Sequence, residues 1–172
     1  DSDTIVCAVR KAISEFGLTY SYMKGINVFM FGSADSFLNT PDEQFEKLES
    51  LGIRIYINLG LESADDETLH RIGKPITSDK VIRSFMRKIE INNRFRNIEI
   101  TSNFVIGDDL PEAHYTSFLH LVRDNLKTPI NKGTVYLSPL TGTKPSRRIL
   151  FEFNQLKRFS RLPTFLYTIQ RL

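Results

Sequence analysis

The chain has 172 residues, of which 41% are hydrophobic and 25% are charged, and its formal net charge is +3. This composition is typical of one soluble globular domain, and no apolar run is long enough to span a membrane. The mild charge permits an anionic ligand without indicating nucleic acid, and the single cysteine, Cys7, excludes an internal disulfide framework and favours a reducing, cytoplasmic location.

The first third of the chain predicts two helices, each followed by a strand. Asp3 caps a first helix that ends at Gly17, and Cys7 lies among its apolar residues, which predicts a packed thiol. Residues 26–31 form a continuous apolar run, which predicts a strand buried on both faces. A second helix with Thr40 as its cap follows in "TPDE", and residues 53–61 form the second strand.

The rest of the chain continues the same alternation of helices and strands. The predicted elements are a short helix capped by Ser63, a helix from Thr77 or Ser78, a strand over residues 98–107, a helix from Pro111, a strand over residues 134–140 and a basic helical tail. Apolar strands that alternate with helices predict a parallel α/β sheet with helical crossovers.

The sequence predicts one division within the chain and one exposed edge of the sheet. Residues 1–144 are expected to form the sheet domain and residues 145–172 a basic helical extension. Four strands make half a barrel at most, and the first would be a bare edge, so we expect an N-terminal truncation and self-association through that edge.

Candidate functional residues follow the strands, because the carboxyl ends of parallel strands form the site in this class of fold. Glu62 and Ser63 come directly after the second strand, where a carboxylate can accept hydrogen bonds from a ligand's hydroxyls or amine. The alternative is that Glu62 is an exposed turn residue and Ser63 a helix cap. The three histidines lack metal-ligand spacing, which favours surface or packing roles.

Three segments resemble the radical S-adenosylmethionine (SAM) superfamily. The first is Gly60-Leu61-Glu62-Ser63, followed by Leu69-His70-Arg71-Ile72-Gly73-Lys74, which is similar to the superfamily's Gly-Leu-Glu-Ser strand end and the short helix after it. The second, "NFVIGDDLPEAH", resembles a "GFIIGLPGET" segment, although Asn103 replaces the first glycine and Asp108-Asp109 replace Leu-Pro. "YLSPLTGT" resembles the strand and turn that close the six-strand partial barrel.

This resemblance implies a partial parallel (β/α) barrel of the TIM-like radical SAM type that lacks its first strands. The implied function is a fragment of an iron–sulfur oxidoreductase that reductively cleaves SAM to a 5′-deoxyadenosyl radical, with a ferredoxin or flavodoxin as electron donor and an unknown substrate. The family's Cys-x-x-x-Cys-x-x-Cys loop for a 4Fe-4S cluster and its Gly-Gly-Glu motif are absent from the sequence. The cluster ligands are therefore expected upstream of Asp1, and the fragment alone is expected to be inactive.

The resemblance also implies which residues contact SAM, and none of them is catalytic or a metal ligand. Ser33, Glu62 and Ser63 would face its methionine and ribose, Ser102, Asn103 and Gly107 would lie near ribose and adenine, and Leu137 and Ser138 would seat the adenine. Only Glu62 and Gly107 rest on motif matches, and the others rest on position.

Two other functions remain open. The domain could be a degenerate barrel that acts as a non-catalytic binding or scaffold module, with its basic tail as the contact surface. The cations of that tail are Arg147, Arg148, Lys157, Arg158 and Arg161. An ordinary barrel enzyme of other chemistry is less favoured, because no metal-binding histidine pattern or nucleophile–base pair supports it.

Overall fold

A computed structural model describes residues 2–16, 27–140 and 145–168. The strands in these ranges are β1 (Asn27–Gly32), β2 (Arg54–Glu62), β3 (Ile98–Ile106), β4 (Val135–Pro139) and β5 (Thr164–Leu166). The helices are α1 (Ser2–Glu15), α2 (Ala34–Asn39), α3 (Asp42–Glu49), α4 (Asp66–Arg71), α5 (Ser78–Arg94), α6 (Glu112–Leu119), which continues as a π-helical turn (His120–Asp124), and α7 (Arg147–Phe159).

The five strands form one all-parallel sheet in the order β1-β2-β3-β4-β5. This confirms the predicted α/β class. Each strand pairs with the next strand in the chain, and crossovers between parallel strands are almost always right-handed. When successive right-handed crossovers run in one direction, their helices all lie on one face of the sheet. Helices α2, α3 and α5 contact β2 and β3 on this face.

The hydrophobic core lies between the sheet and this helical layer. Alternate side chains of β2 and β3, among them Ile55, Leu59, Ile100 and Phe104, are fully buried. Phe104 contacts the rings of both Phe85 and Phe118 edge-on, and the helices thereby share one continuous core with the sheet.

The opposite face of the sheet is open, and this corrects the prediction that the first strand is buried on both faces. Alternate residues of β1 are exposed, and Phe29 and Phe31 keep 69% and 87% of their surface accessible. A continuous apolar run does not reveal whether one or both faces of a strand are covered. Here helices cover one face, within the part of the chain that the structure describes.

Several local predictions were also wrong. The side chain of Asp65, not Ser63, caps α4, where it accepts a hydrogen bond from the Thr68 amide. Thr40 ends α2, a helix that the sequence did not reveal, and α3 begins after Pro41 without a side-chain cap. Cys7 is exposed rather than packed. Thr77 caps α5 as predicted.

The C-terminal extension is helical as predicted, but it also supplies a strand that the sequence did not reveal. After α7 the chain returns to the sheet, and β5 pairs with β4 at Val135–Leu137. Arg161 of the basic tail anchors this return, because its guanidinium donates to the carbonyls of Leu126 and Lys127. None of the helices in the described ranges has the length and apolar character needed to cross a membrane.

Candidate ligand pocket on the open face

The open face of the sheet carries a pocket of about 710 Å³. Its lining comes from β1, β2, β3 and β4 and from Tyr167, which follows β5. The strand register places the lining side chains in rows across the sheet: Phe29 beside Tyr56, Asn58 beside Thr101, and Asn103 beside Tyr136. The pocket therefore follows directly from the alternation of side chains along parallel strands.

Aromatic rings form two opposite walls of the pocket. The rings of Phe29 and Tyr56 stack at 5.0 Å with an angle of 11° between their planes. On the far side Tyr136 and Tyr167 meet edge-on at 6.0 Å. Such walls suit a planar ring or an apolar group of a ligand.

Side-chain amides and hydroxyls lie between these walls. The Thr101 hydroxyl donates to Asn58 Oδ1 at 2.9 Å, and the Ser138 hydroxyl donates to Asn103 Oδ1 at 2.7 Å. Both amide oxygens are therefore engaged, whereas neither amide nitrogen has an acceptor among the described residues. These nitrogens are available to donate to ligand oxygens or ring nitrogens.

Glu62 lies at the end of this polar row, in a strained backbone conformation. Its φ is +65°, and the Ser63 amide donates to the Leu61 carbonyl across it at 2.8 Å, which makes a γ-turn with a positive central φ. A non-glycine residue in this region costs energy and often marks a functional site. The Glu62 side chain is 19% exposed, and its carboxylate accepts from Lys74 Nζ at 3.1 Å.

Gly60 lies beneath the Glu62 carboxylate, which folds back over it. A Cβ on Gly60 would lie 2.9 Å from Glu62 Oε1. Glycine therefore leaves room for the carboxylate in this position, and a side chain at residue 60 would displace its flexible end. Leu61 between them is fully buried in the core. The turn aims a carboxylate along the pocket surface.

Ser63 faces the core, where it bonds to His114. Its hydroxyl lies 2.8 Å from His114 Nδ1, and His114 Nε2 lies 2.9 Å from the Val105 carbonyl oxygen. Since a carbonyl can only accept, Nε2 carries the proton and Nδ1 accepts from Ser63. Burial lowers the pKa of His114, which keeps the ring neutral. The pair thereby ties the strained turn to the end of β3.

Ser102 also points away from the pocket, into the helical layer. Its hydroxyl accepts a 2.8 Å hydrogen bond from Lys88 Nζ on α5. Lys88 is completely buried, and desolvation lowers its pKa to about 7. Neither Lys88 nor Ser102 lines the pocket, so this pair belongs to the core.

The other sequence-predicted site residues have structural contacts of their own. Ser33 caps α2 through the Ser36 amide. Gly107 donates its amide to the Tyr115 hydroxyl, and Leu137 is buried in the core. The structure therefore brings Glu62 and Asn103 to the pocket and holds Ser138 against Asn103, whereas the remaining five lie elsewhere.

Sequence reasoning missed the residues that form most of the pocket. The missed side chains are Phe29, Phe31, Tyr56, Asn58, Thr101, Tyr136 and Tyr167. Counting back from Glu62 in steps of two gives Gly60, Asn58 and Tyr56. This two-residue period along β2 was the sequence signal that could have revealed these lining residues.

The described residues contain no group of three or more His, Cys, Asp and Glu side chains placed to hold a metal ion. No protein-family model matches the chain, and no curated protein is similar to it in sequence.

Proposed function

We propose that the open face is the SAM-binding interior of a partial (β/α) barrel, and that the chain belongs to a radical SAM oxidoreductase. The singly wound parallel order supports a barrel, because such a sheet curls toward its uncovered face when more strands are added. The observation that carries the proposal is Glu62: the family-like Gly-Leu-Glu-Ser segment places a carboxylate, in a strained turn, at the pocket.

The residues of the pocket fit SAM in chemical type. The Glu62 carboxylate can accept from the amine or the ribose hydroxyls, the Asn58 and Asn103 amides can donate to oxygens or ring nitrogens, and the aromatic walls suit the adenine. SAM would supply the radical chemistry, and the contribution of this chain would be to bind it, orient it and exclude water.

The chain does not fit the 4Fe-4S cluster that the family uses. Its one cysteine, Cys7, is exposed on α1, and three thiolates are needed to hold such a cluster by the family's loop. The side chains of this chain would therefore not ligate the cluster.

Titration of the chain with SAM tests the proposal, with Glu62→Ala compared against Glu67→Ala. Glu67 is an exposed carboxylate on α4 outside the pocket and serves as the matched control. A charge-assisted hydrogen bond contributes roughly 1.5–3 kcal/mol, so Glu62→Ala is expected to weaken SAM affinity about tenfold to a hundredfold. Equal affinities of the two variants would remove Glu62 from the site.

A binding or scaffold module is the second candidate, and the placement of Ser63 and Ser102 favours it. Both hydroxyls are engaged in the core rather than offered to a ligand. Such a module would show no thermal stabilisation by SAM, whereas a SAM-binding barrel would be stabilised in proportion to ligand concentration.

A further inference from the structure

Helix α7 carries cations that have no ion-pair partner among the residues that the structure describes. Arg147, Arg148, Lys157 and Arg158 are exposed and make no ion pair with any described residue. Glu152 is the one carboxylate in the helix. This is a helix surface with uncompensated positive charge.

Helix α5 shows that this is not the general pattern in the molecule. Apart from the buried Lys88, its cations each have a carboxylate: Lys80 bonds to Asp35 at 2.6 Å, Arg83 to Asp79 at 2.9 Å, and Arg87 and Arg94 share Asp42. Cations on the two helices thus have different environments, although both helices cover the same sheet.

The cations at the start of α7 also act against the helix itself. Arg147 and Arg148 occupy its first turn, which contains no acidic residue. The positive end of the helix dipole disfavours cations there. A sequence that breaks a local stability rule without compensation in the fold is expected at a functional surface.

Apolar side chains lie among these cations on the outer face of α7. Phe151 is 63% exposed and Leu150 is 41% exposed. Arg147, Phe151 and Arg158 follow one another at spacings of four and seven residues, so they form one row along the helix. We call this row, with Leu150, the α7 outer face.

We propose that the α7 outer face binds an acidic protein segment, in which an apolar side chain packs on Phe151 and Leu150 while flanking carboxylates pair with Arg147 and Arg158. Arginine and aromatic residues are enriched at protein interfaces and dominate their binding energy. Charge complementarity selects the acidic partner, because no carboxylate among the described residues satisfies these guanidinium groups.

Two other occupants fit the observations less well. The most apolar side of α7, with Ile149 and Leu156, is buried in the core, which leaves too little apolar surface for insertion into a membrane. An oligonucleotide needs successive exposed rings to stack successive bases, and Phe151 is the one aromatic ring on the α7 outer face.

The test is selection of a random peptide library on the chain, followed by anisotropy measurements with the selected peptides. The expected peptides are enriched in Asp and Glu around an apolar residue and bind more weakly as salt is raised. Phe151→Ala and the double change Arg147→Gln with Arg158→Gln are each expected to weaken binding about tenfold or more. Arg83→Gln on α5 is the matched control and should have no effect.

Three results would overturn the proposal. The first is that the selected peptides are not enriched in Asp and Glu. The second is that acidic peptides bind, but the α7 substitutions do not change their affinity. The third is that an oligonucleotide or phosphatidylserine vesicles bind to this face while acidic peptides do not. Thermal melts of every variant establish that a loss of binding does not come from unfolding. The peptide-binding measurement does not involve SAM, so its outcome is independent of whether the chain binds SAM.

Discussion

Replacement of Lys88 by methionine tests the account of the core, because a buried lysine should make stability depend on pH in a specific direction. Within the described residues Lys88 Nζ has one hydrogen-bond partner, Ser102 Oγ at 2.8 Å, and burial lowers the pKa of Lys88 to about 7. In the unfolded chain a lysine pKa is about 10.4. Between these two values the unfolded state holds a proton that the folded state lacks, so the free energy of unfolding rises with pH by about 1.4 kcal/mol per pH unit.

Denaturant unfolding from about pH 7 to 9 should therefore show a rise of roughly 2 kcal/mol from this group, because the slope is only half as steep near the folded-state pKa. Lys88→Met is expected to remove this part of the slope, and Lys80→Met, at a partly exposed lysine, to leave it unchanged. The comparison of slopes is the decisive quantity, since the absolute stability of Lys88→Met also includes the unpaired Ser102 hydroxyl. Parallel pH profiles for wild type and Lys88→Met would refute the reasoning.

Two further predictions concern the strained turn and its support. Burial lowers the pKa of His114, so below about pH 6.5 the unfolded chain binds a proton that the folded chain does not bind. The free energy of unfolding should therefore fall as the pH is lowered through this range. Denaturant unfolding of His114→Gln should show a smaller fall. At Glu62, whose φ is +65°, the glycine variant should be more stable than the alanine variant by about 1 kcal/mol, the reverse of the usual order. Thermal melts decide this, and an alanine variant that is the more stable would show that the turn carries no strain.

The sequence predicted the α/β class and the positions of four strands because hydrophobic periodicity and cap residues are local signals. The fifth strand escaped because Thr164–Leu166 is short, follows Pro163 and depends on pairing with β4. The two-sided burial of the first strand was wrongly predicted, since coverage of a face is a property of the assembled layers rather than of the strand.

The sequence predicted Glu62 and Asn103 as residues of the candidate site, but it did not predict most of the other residues that line the pocket. Position at a strand end does not decide which face a side chain occupies, and adjacent residues alternate between faces. Asn103 therefore reaches the pocket while Ser102 reaches Lys88. At Glu62 the β-bulge and the γ-turn change the direction of the chain, so that Ser63 bonds to His114, a partner distant in sequence.

The most direct test of the central claim is where SAM binds. Backbone amide NMR spectra of the chain, recorded as SAM is added, should show shifts concentrated at Asn58, Gly60, Glu62 and Asn103 on the open face, and Glu62→Ala should require a higher SAM concentration for the same shifts. Saturable shifts confined to the helical layer, or none at all with a folded chain, would contradict the assignment of the open face as a SAM-binding surface.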